Sequence, residues 1–419
     1  MARGFSIYLD ILRVIAALVV LLSHFAYSRF TEGRWLWVRE LNLGSDAVVV
    51  FFVLSGLVIA FCAERRDAGF GPYLFNRATR LLSVALPALL LGFVLDRWGV
   101  RIAPALYEGF YQPLPLWEML LRGLTFSNEF ALAPVRLGSN GPYWSLSYEA
   151  AYYVLFGVAF YLSGARRAVL LLVGVLVAGL NILLLMPAWL MGVAVWRAVA
   201  TGRLPGTRVA WALALAPVVA YMGALASGVP GWIEAHLQPP LAGLRFSDEY
   251  LWNGLLGLLV ALHLWGVAGL ARTGAARGWH GPVRWTAGAG FSIYLVHYPV
   301  LQALKAAWPG LGVSWAGDLV LLGLTLLACL LFAQLFERPL PRIRGAIRAL
   351  IPARRAEQTA PAARGRAAQT SSRPSITRTA APATVTAPAR AATAISEGRP
   401  IATPCRIVSS SGRPSSAQR

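Results

Sequence analysis

LDILRVIAALVVLLSH, residues 9–24, decides the fold: it is apolar enough to enter a bilayer as a helix, yet it carries Asp10, Arg13 and His24. A helix turns about 100° and rises about 1.5 Å per residue, so Arg13 and His24 return to nearly one face about 16 Å apart. That is roughly half the thickness of a bilayer core. Ionisable groups at such depth are costly unless they face a polar interior, which makes them functional candidates. The stretch reads as one wall of a polar seam, with a guanidinium low and an imidazole high. A local Asp10–Arg13 ion pair plus an interfacial histidine accounts for the same residues, and both readings stand at this level.

Working outward, the 419 residues are 57% hydrophobic and 13% charged, against about a quarter charged in soluble domains. The composition predicts an all-α polytopic membrane protein. Apolar runs fall at 7–27, 46–62, 81–96, 143–163, 168–185, 187–200, 209–227, 249–270, 285–306 and 317–336, giving about ten transmembrane helices. The first is expected to be retained, because its charges lie inside the apolar run and no small-residue cleavage site follows it. The sixth is short and broken by polar residues, which predicts tilt or shielding by neighbours. Arginine collects on alternate connections: Arg65, Arg66, Arg77 and Arg80; Arg166 and Arg167; Arg203 and Arg208; Arg272, Arg277 and Arg284; and Arg338, Arg342, Arg344 and Arg348. By the positive-inside rule both termini are cytoplasmic. The opposite loops, 28–45, 97–142 and 228–248, hold Trp, Pro, Gly and acidic residues and should lie outside, with 97–142 long enough to cap a cavity.

Residues 1–350 therefore read as one membrane domain. From 351 to 419 the chain is rich in Ala, Pro, Ser, Thr and Arg without periodicity, which predicts a disordered cytoplasmic tail. Its arginines suit anionic headgroups or plain solvation equally. The formal net charge of +20 is spread over loops and tail, a pattern of topology and not of nucleic-acid binding. Cys62, Cys329 and Cys405 have no metal or disulfide spacing, so no metal site is expected. No internal repeat is visible.

Several polar residues sit where apolar ones are expected. Asp46 opens the second span at about the level of His24 and could orient its imidazole, the usual partnership for a general base; a helix N-cap is the plainer account. Deeper in that span lie Ser55 and Gly56, small enough for close helix approach. Arg77 and Arg80, three apart, share a helix face and could hold phosphate through paired hydrogen bonds, with Arg13 deeper along the same ligand; the charge rule alone also explains the pair. In NGPYWSLSYEAAYYVLF, residues 140–156, Glu149 lies inside an otherwise embedded helix and needs a partner or a proton. Trp144 and Tyr143 fit an aromatic belt. In FSIYLVHYPV, residues 291–300, His297 and Pro299 fall mid-span, and Glu337 closes the last span. His297 is either a support for the site or a satisfied polar contact. His236, His263 and His280 show no pattern.

Taken in order, LDILRVIAALVVLLSH, DAVVVFFVLSG, the Arg77 and Arg80 pair, YWSLSYEAAYY, FSIYLVHYPV and FERP make the chain resemble the bacterial acyltransferase-3 family of integral-membrane O-acyltransferases. The resemblance covers roughly residues 5–345. It implies a ten-helix core in the bacterial inner membrane that passes an acyl group, usually acetyl, from cytoplasmic acyl-coenzyme A to a hydroxyl of a surface polysaccharide, another glycan or a glycolipid. No bound cofactor is implied; acyl-coenzyme A is the donor substrate. His24, Glu149 and Asp46 are then the expected catalytic residues, with His24 as base and direct transfer as the default route. Arg13, Arg77 and Arg80 are the expected donor-binding residues, and Asp10, Ser55, Trp144, Ser145, Tyr294 and His297 support them. Two departures stand out: the proline that commonly follows the arginine pair appears only at Pro87, and the tail lacks the Gly-Asp-Ser nucleophile of an appended hydrolase-like domain. A proton-coupled secondary transporter or flippase, with Arg13, His24 and Glu149 as a relay, is the competing reading, although paired repeats are missing. A lipid or small-molecule acceptor is a third.

Overall fold

The computed structural model describes residues 1–130, 134–238, 244–271 and 280–350. The tail expected to be disordered, and Arg272 and Arg277, lie outside the described residues. Among them the chain is helical, with no strand. The long helices are α1 (Arg3–Phe25), α2 (Leu43–Arg65), α3 (Phe70–Ile102), α4 (Trp144–Tyr161), α5 (Gly164–Ala178), α6 (Leu180–Ala200), α7 (Thr207–Ala226), α8 (Tyr250–Leu270), α9 (Gly290–Ala307) and α10 (Trp315–Phe332).

Seven helical stretches are long and apolar enough to cross a membrane by length and composition. They are α1, α2, α3, α6, α7, α8 and the helical run that begins with α10. The three that fall outside this criterion have physical reasons to do so. With 15 residues, α5 is too short. The others, α4 and α9, are 18 residues long but carry Glu149 and His297 with several tyrosines, so their hydropathy is diluted. The sixth span differs from expectation: α6 has 21 residues, because Gly179, at φ 85°, ends α5 and lets α6 start at Leu180. A residue with a Cβ is disfavoured at that φ, so the break falls there and not near residue 186.

At the centre stands α2. Buried residues make up 72% of its apolar window, against 17% for α7, the most exposed of the seven. Two apolar cores meet on α1 and α2. One gathers Phe25, Phe52, Tyr148, Tyr152, Leu295 and Tyr298, and the other gathers Phe5, Leu57, Trp196, Trp252 and Leu264. The α2–α6 crossing is close because glycines face backbone on both sides: a Cβ at Gly56 would meet the Trp189 carbonyl, and one at Gly192 would meet the Val53 carbonyl and the Leu57 amide.

The loops expected outside are not poor in arginine. They hold Arg29, Arg34, Arg39, Arg97, Arg101, Arg122, Arg136 and Arg245 alongside their Trp, Pro, Gly and acidic residues. Arg34 is clamped by Asp318 at 2.7 Å and also donates to the Gly312 carbonyl. Arg122 pairs with Glu118 and Arg245 with Glu129, each at 3.0 Å.

Candidate active site

His24 lies in the last turn of α1, half-buried, and it turns inward. Its Nδ1 is 2.9 Å from the Val20 carbonyl and 3.2 Å from Nε2 of His297, which is fully buried on α9. His297 Nδ1 is in turn 2.8 Å from the Ile293 carbonyl. The carbonyls set the tautomers. A carbonyl only accepts, so His297 carries its proton on Nδ1 and presents a bare Nε2. His24 likewise carries its proton on Nδ1, shared between Val20 and His297, and keeps the Nε2 lone pair for chemistry. The Tyr298 ring stands edge-on to the His24 ring at 5.1 Å between centroids.

This corrects the expected partnership with Asp46. Both carboxylate oxygens of Asp46 are occupied at 2.8 Å, one accepting from Trp252 Nε1 and the other from the Tyr221 hydroxyl. Nor does Asp46 cap the helix: that position belongs to Asn42, at φ 52°, whose amide donates to Glu249. Asp46 ties the head of α2 to α7 and α8, and the imidazole takes its orientation from a second imidazole.

Glu149 on α4 accepts at Oε1 from Ser55 of α2 (2.9 Å) and from the Tyr153 hydroxyl one turn along. Trp189 Nε1 donates to Ser55 at 3.2 Å, so α6 fixes the serine rotamer. The second carboxylate oxygen, Oε2, has no hydrogen-bond partner among the described residues and sits in a half-buried side chain. Glu149 does not touch His24, but the two are joined through α4 and α9. Ser145, one turn before Glu149, lies 2.6 Å from the Tyr294 hydroxyl, and Tyr294 is one turn before His297. The Tyr294 hydroxyl also meets the Pro142 carbonyl at 3.1 Å, and Asn140 donates to the Leu295 carbonyl at 2.9 Å. Trp144, stacked on Phe246 at 4.4 Å, packs the same turn.

The other end of the seam is basic. Tyr73 donates to the Tyr153 carbonyl at 2.9 Å, and the Arg77 guanidinium lies over the Tyr73 ring at 5.6 Å. Arg77 sits 3.7 Å from Asp67, and Arg80 sits 3.3 Å from Glu337. Glu337 closes a π-helical turn, Ala333–Glu337, and accepts from both the backbone N–H and the hydroxyl of Ser292 at 2.8 Å. The two arginines therefore share a region but lean on separate acids. Arg13 stays with Asp10 at 3.2 Å, the local ion pair of the plainer reading.

Sequence reasoning missed Tyr153 and Tyr73, the first of which was within reach as the residue four after Glu149. It also missed Tyr298 and the arginines around it, which lie in the connections between the long helices, two of them in short helices of four residues, and carry no periodic signal. Among the described residues no group of three or more His, Cys, Asp or Glu side chains converges as a metal site.

Behind the helices, Glu129 is 1% exposed, and burial pushes its carboxyl up to about 7, against the lowering effects of Arg245 and Asn128. Its folded value lies above the unfolded one, so the stability it contributes is complete at acid pH and is lost as pH rises through 7. The thermal midpoint in detergent is expected to fall between pH 5 and pH 8, and Glu129→Gln should flatten that slope. Equal slopes in both proteins would clear Glu129 of the effect.

Fold and site together define a polytopic helical membrane protein with a histidine pair and a carboxylate–tyrosine pair inside its bundle. Residues 6–334 match the profile described as an acyltransferase domain, and the chain belongs to the acyltransferase-3 family. It is 27% identical over 150 residues to a protein named O-acetyl transferase from Shigella phage Sf6, a match covering 36% of this chain and 44% of that one. It is 33% identical over 149 residues to acyltransferase MdmB from Streptomyces mycarofaciens, covering 35% of this chain and 36% of that one. In both cases the match spans less than half of the relative's length. No solved structure matches the chain.

Proposed function

We propose that the protein is a membrane O-acyltransferase that moves an acyl group, acetyl by preference, from acyl-coenzyme A to a hydroxyl of a glycan or glycolipid across the bacterial inner membrane. The observation that carries this is His24, with Nδ1–H held by the Val20 carbonyl and His297 and with Nε2 left bare. In this reading Nε2 takes the proton of the acceptor hydroxyl as its oxygen attacks the thioester carbon. The C–O bond forms, the C–S bond breaks, and the imidazolium returns its proton to the departing thiolate. His297 accepts the Nδ1–H and so stabilises the charged imidazole, the task first given to Asp46. Glu149 lies along the seam between the imidazole pair and the basic end, where Oε2 can accept from the acceptor or the donor arm. Arg77 and Arg80 take the donor phosphates from the cytoplasmic side, exchanging Asp67 and Glu337 for stronger paired contacts.

Purified protein incubated with acetyl-labelled acetyl-coenzyme A and a glycan extract is expected to place covalent label on glycan; label found only in unreacted acetyl-coenzyme A and free acetate would overturn the reading. For the donor side, Arg77→Lys with Arg80→Lys keeps charge opposite Asp67 and Glu337 but removes the planar forks. It is expected to weaken coenzyme A binding about tenfold, the scale of one lost charge-assisted hydrogen bond. Acceptor binding should stay unchanged. Equal weakening of both would leave the pair a purely topological role.

A further inference from the structure

We propose that Arg29, Arg39 and Arg136 form a binding site for an oxyanion group, phosphate or carboxylate, carried by the acceptor. The word acceptor rests on the acyltransferase reading; the site itself rests on geometry. Arg39 lies over the Tyr27 ring, 3.6 Å from its centroid. Arg29 lies 4.4 Å from the same ring and 4.3 Å from Phe110, and Arg136 lies 5.0 Å from Phe110. Arg39 and Arg29 share the Tyr27 ring, and Arg29 and Arg136 share the Phe110 and Tyr298 rings, so the three guanidinium groups form one linked row.

The row is uncompensated. Arg34, Arg122 and Arg245 in the same set of loops each have an acid, whereas Arg29, Arg39 and Arg136 pair with no carboxylate among the described residues. Their hydrogen bonds run to the Tyr298 hydroxyl at 2.5 Å for Arg29, to the Ser23 carbonyl at 3.2 Å for Arg39 and to the Ser139 carbonyl at 3.1 Å for Arg136, which also reaches towards the Tyr298 hydroxyl. The Nε atoms of Arg29 and Arg136 are buried without a hydrogen-bond partner among the described residues. Three half-buried like charges repel one another, and most of their donors are unused. An anion bridging them would relieve both conditions, and the planar fork suits phosphate and carboxylate alike.

Placement selects the ligand. Tyr298 receives the Arg29 hydrogen bond and also stands against the His24 ring, so the anion would lie beside the proposed base. The donor's phosphates are separated from its thioester by the pantetheine arm and cannot occupy this row while the thioester is at His24. The acceptor's own charge can, which makes the predicted substrate an acidic glycan or a phosphorylated glycolipid.

The test is a binding titration in detergent, without acyl donor, using dodecyl phosphate, octyl glucuronide and neutral octyl glucoside. Wild-type protein should bind one or both anionic probes and not the neutral one, and the preferred probe identifies the group as phosphate or carboxylate. Arg29→Gln with Arg136→Gln should weaken that binding at least about tenfold. If this variant does not accumulate, Arg39→Gln alone should weaken it about threefold or more. Unchanged affinity in the variants, or equal binding of the neutral probe, overturns the site. Because no donor is present, anion binding without acyl transfer would remove the enzyme reading alone. Transfer without anion selectivity would remove only this one.

Discussion

His24→Ala is expected to lower acyl transfer by about 10²–10⁴-fold, the usual contribution of a positioned general base, while membrane insertion and abundance stay at the wild-type level. Among the described residues the side chain makes no ion pair, and its hydrogen bonds run to one carbonyl and one imidazole, so its loss leaves no buried charge stranded. His297 acts through His24 and is a positioning residue. His297→Leu should cost most of the same factor, whereas His297→Gln, whose amide oxygen can accept the Nδ1–H, should recover part of it and move the acid limb of the rate profile. Transfer at the wild-type rate in His24→Ala would end the base assignment.

Gly192→Val is expected to separate α2 from α6. The new side chain would land on the Val53 carbonyl and the Leu57 amide, which belong to a backbone that cannot rotate away. Overpacking of this kind costs about 1–3 kcal/mol and more where backbone is struck. The same crossing places Trp189 against Ser55 and Ser55 against Glu149, so donor turnover should fall together with the melting temperature. Gly223→Val is the control, because nothing lies within reach of a Cβ there. Similar melting curves for the two variants would show that the crossing tolerates expansion.

The architecture was legible because bilayer thickness imposes a length on apolar runs, and α1, α2, α7 and α8 appear close to their expected bounds. What the sequence hid was partner choice. Asp46 and His24 lie at comparable depth, but depth says nothing of azimuth, and α2 turns Asp46 towards Trp252 and Tyr221. His297 was visible as a polar residue inside a span, yet its pairing with His24 joins residues far apart in the chain and leaves no local trace. Arginine also gathers in the loops after α1 and α3, and there most guanidinium groups are fixed by an acid, a ring or a carbonyl.

The two helices that hold His297 and Glu149 are also the two whose 18 residues are too polar to qualify as spans alone. A charged residue at the centre of a spanning helix adds about 2.5–3.5 kcal/mol to its insertion when alone. Segments this polar are expected to enter the bilayer more easily beside more apolar helices than alone, which ties assembly of the reactive groups to prior insertion of the scaffold.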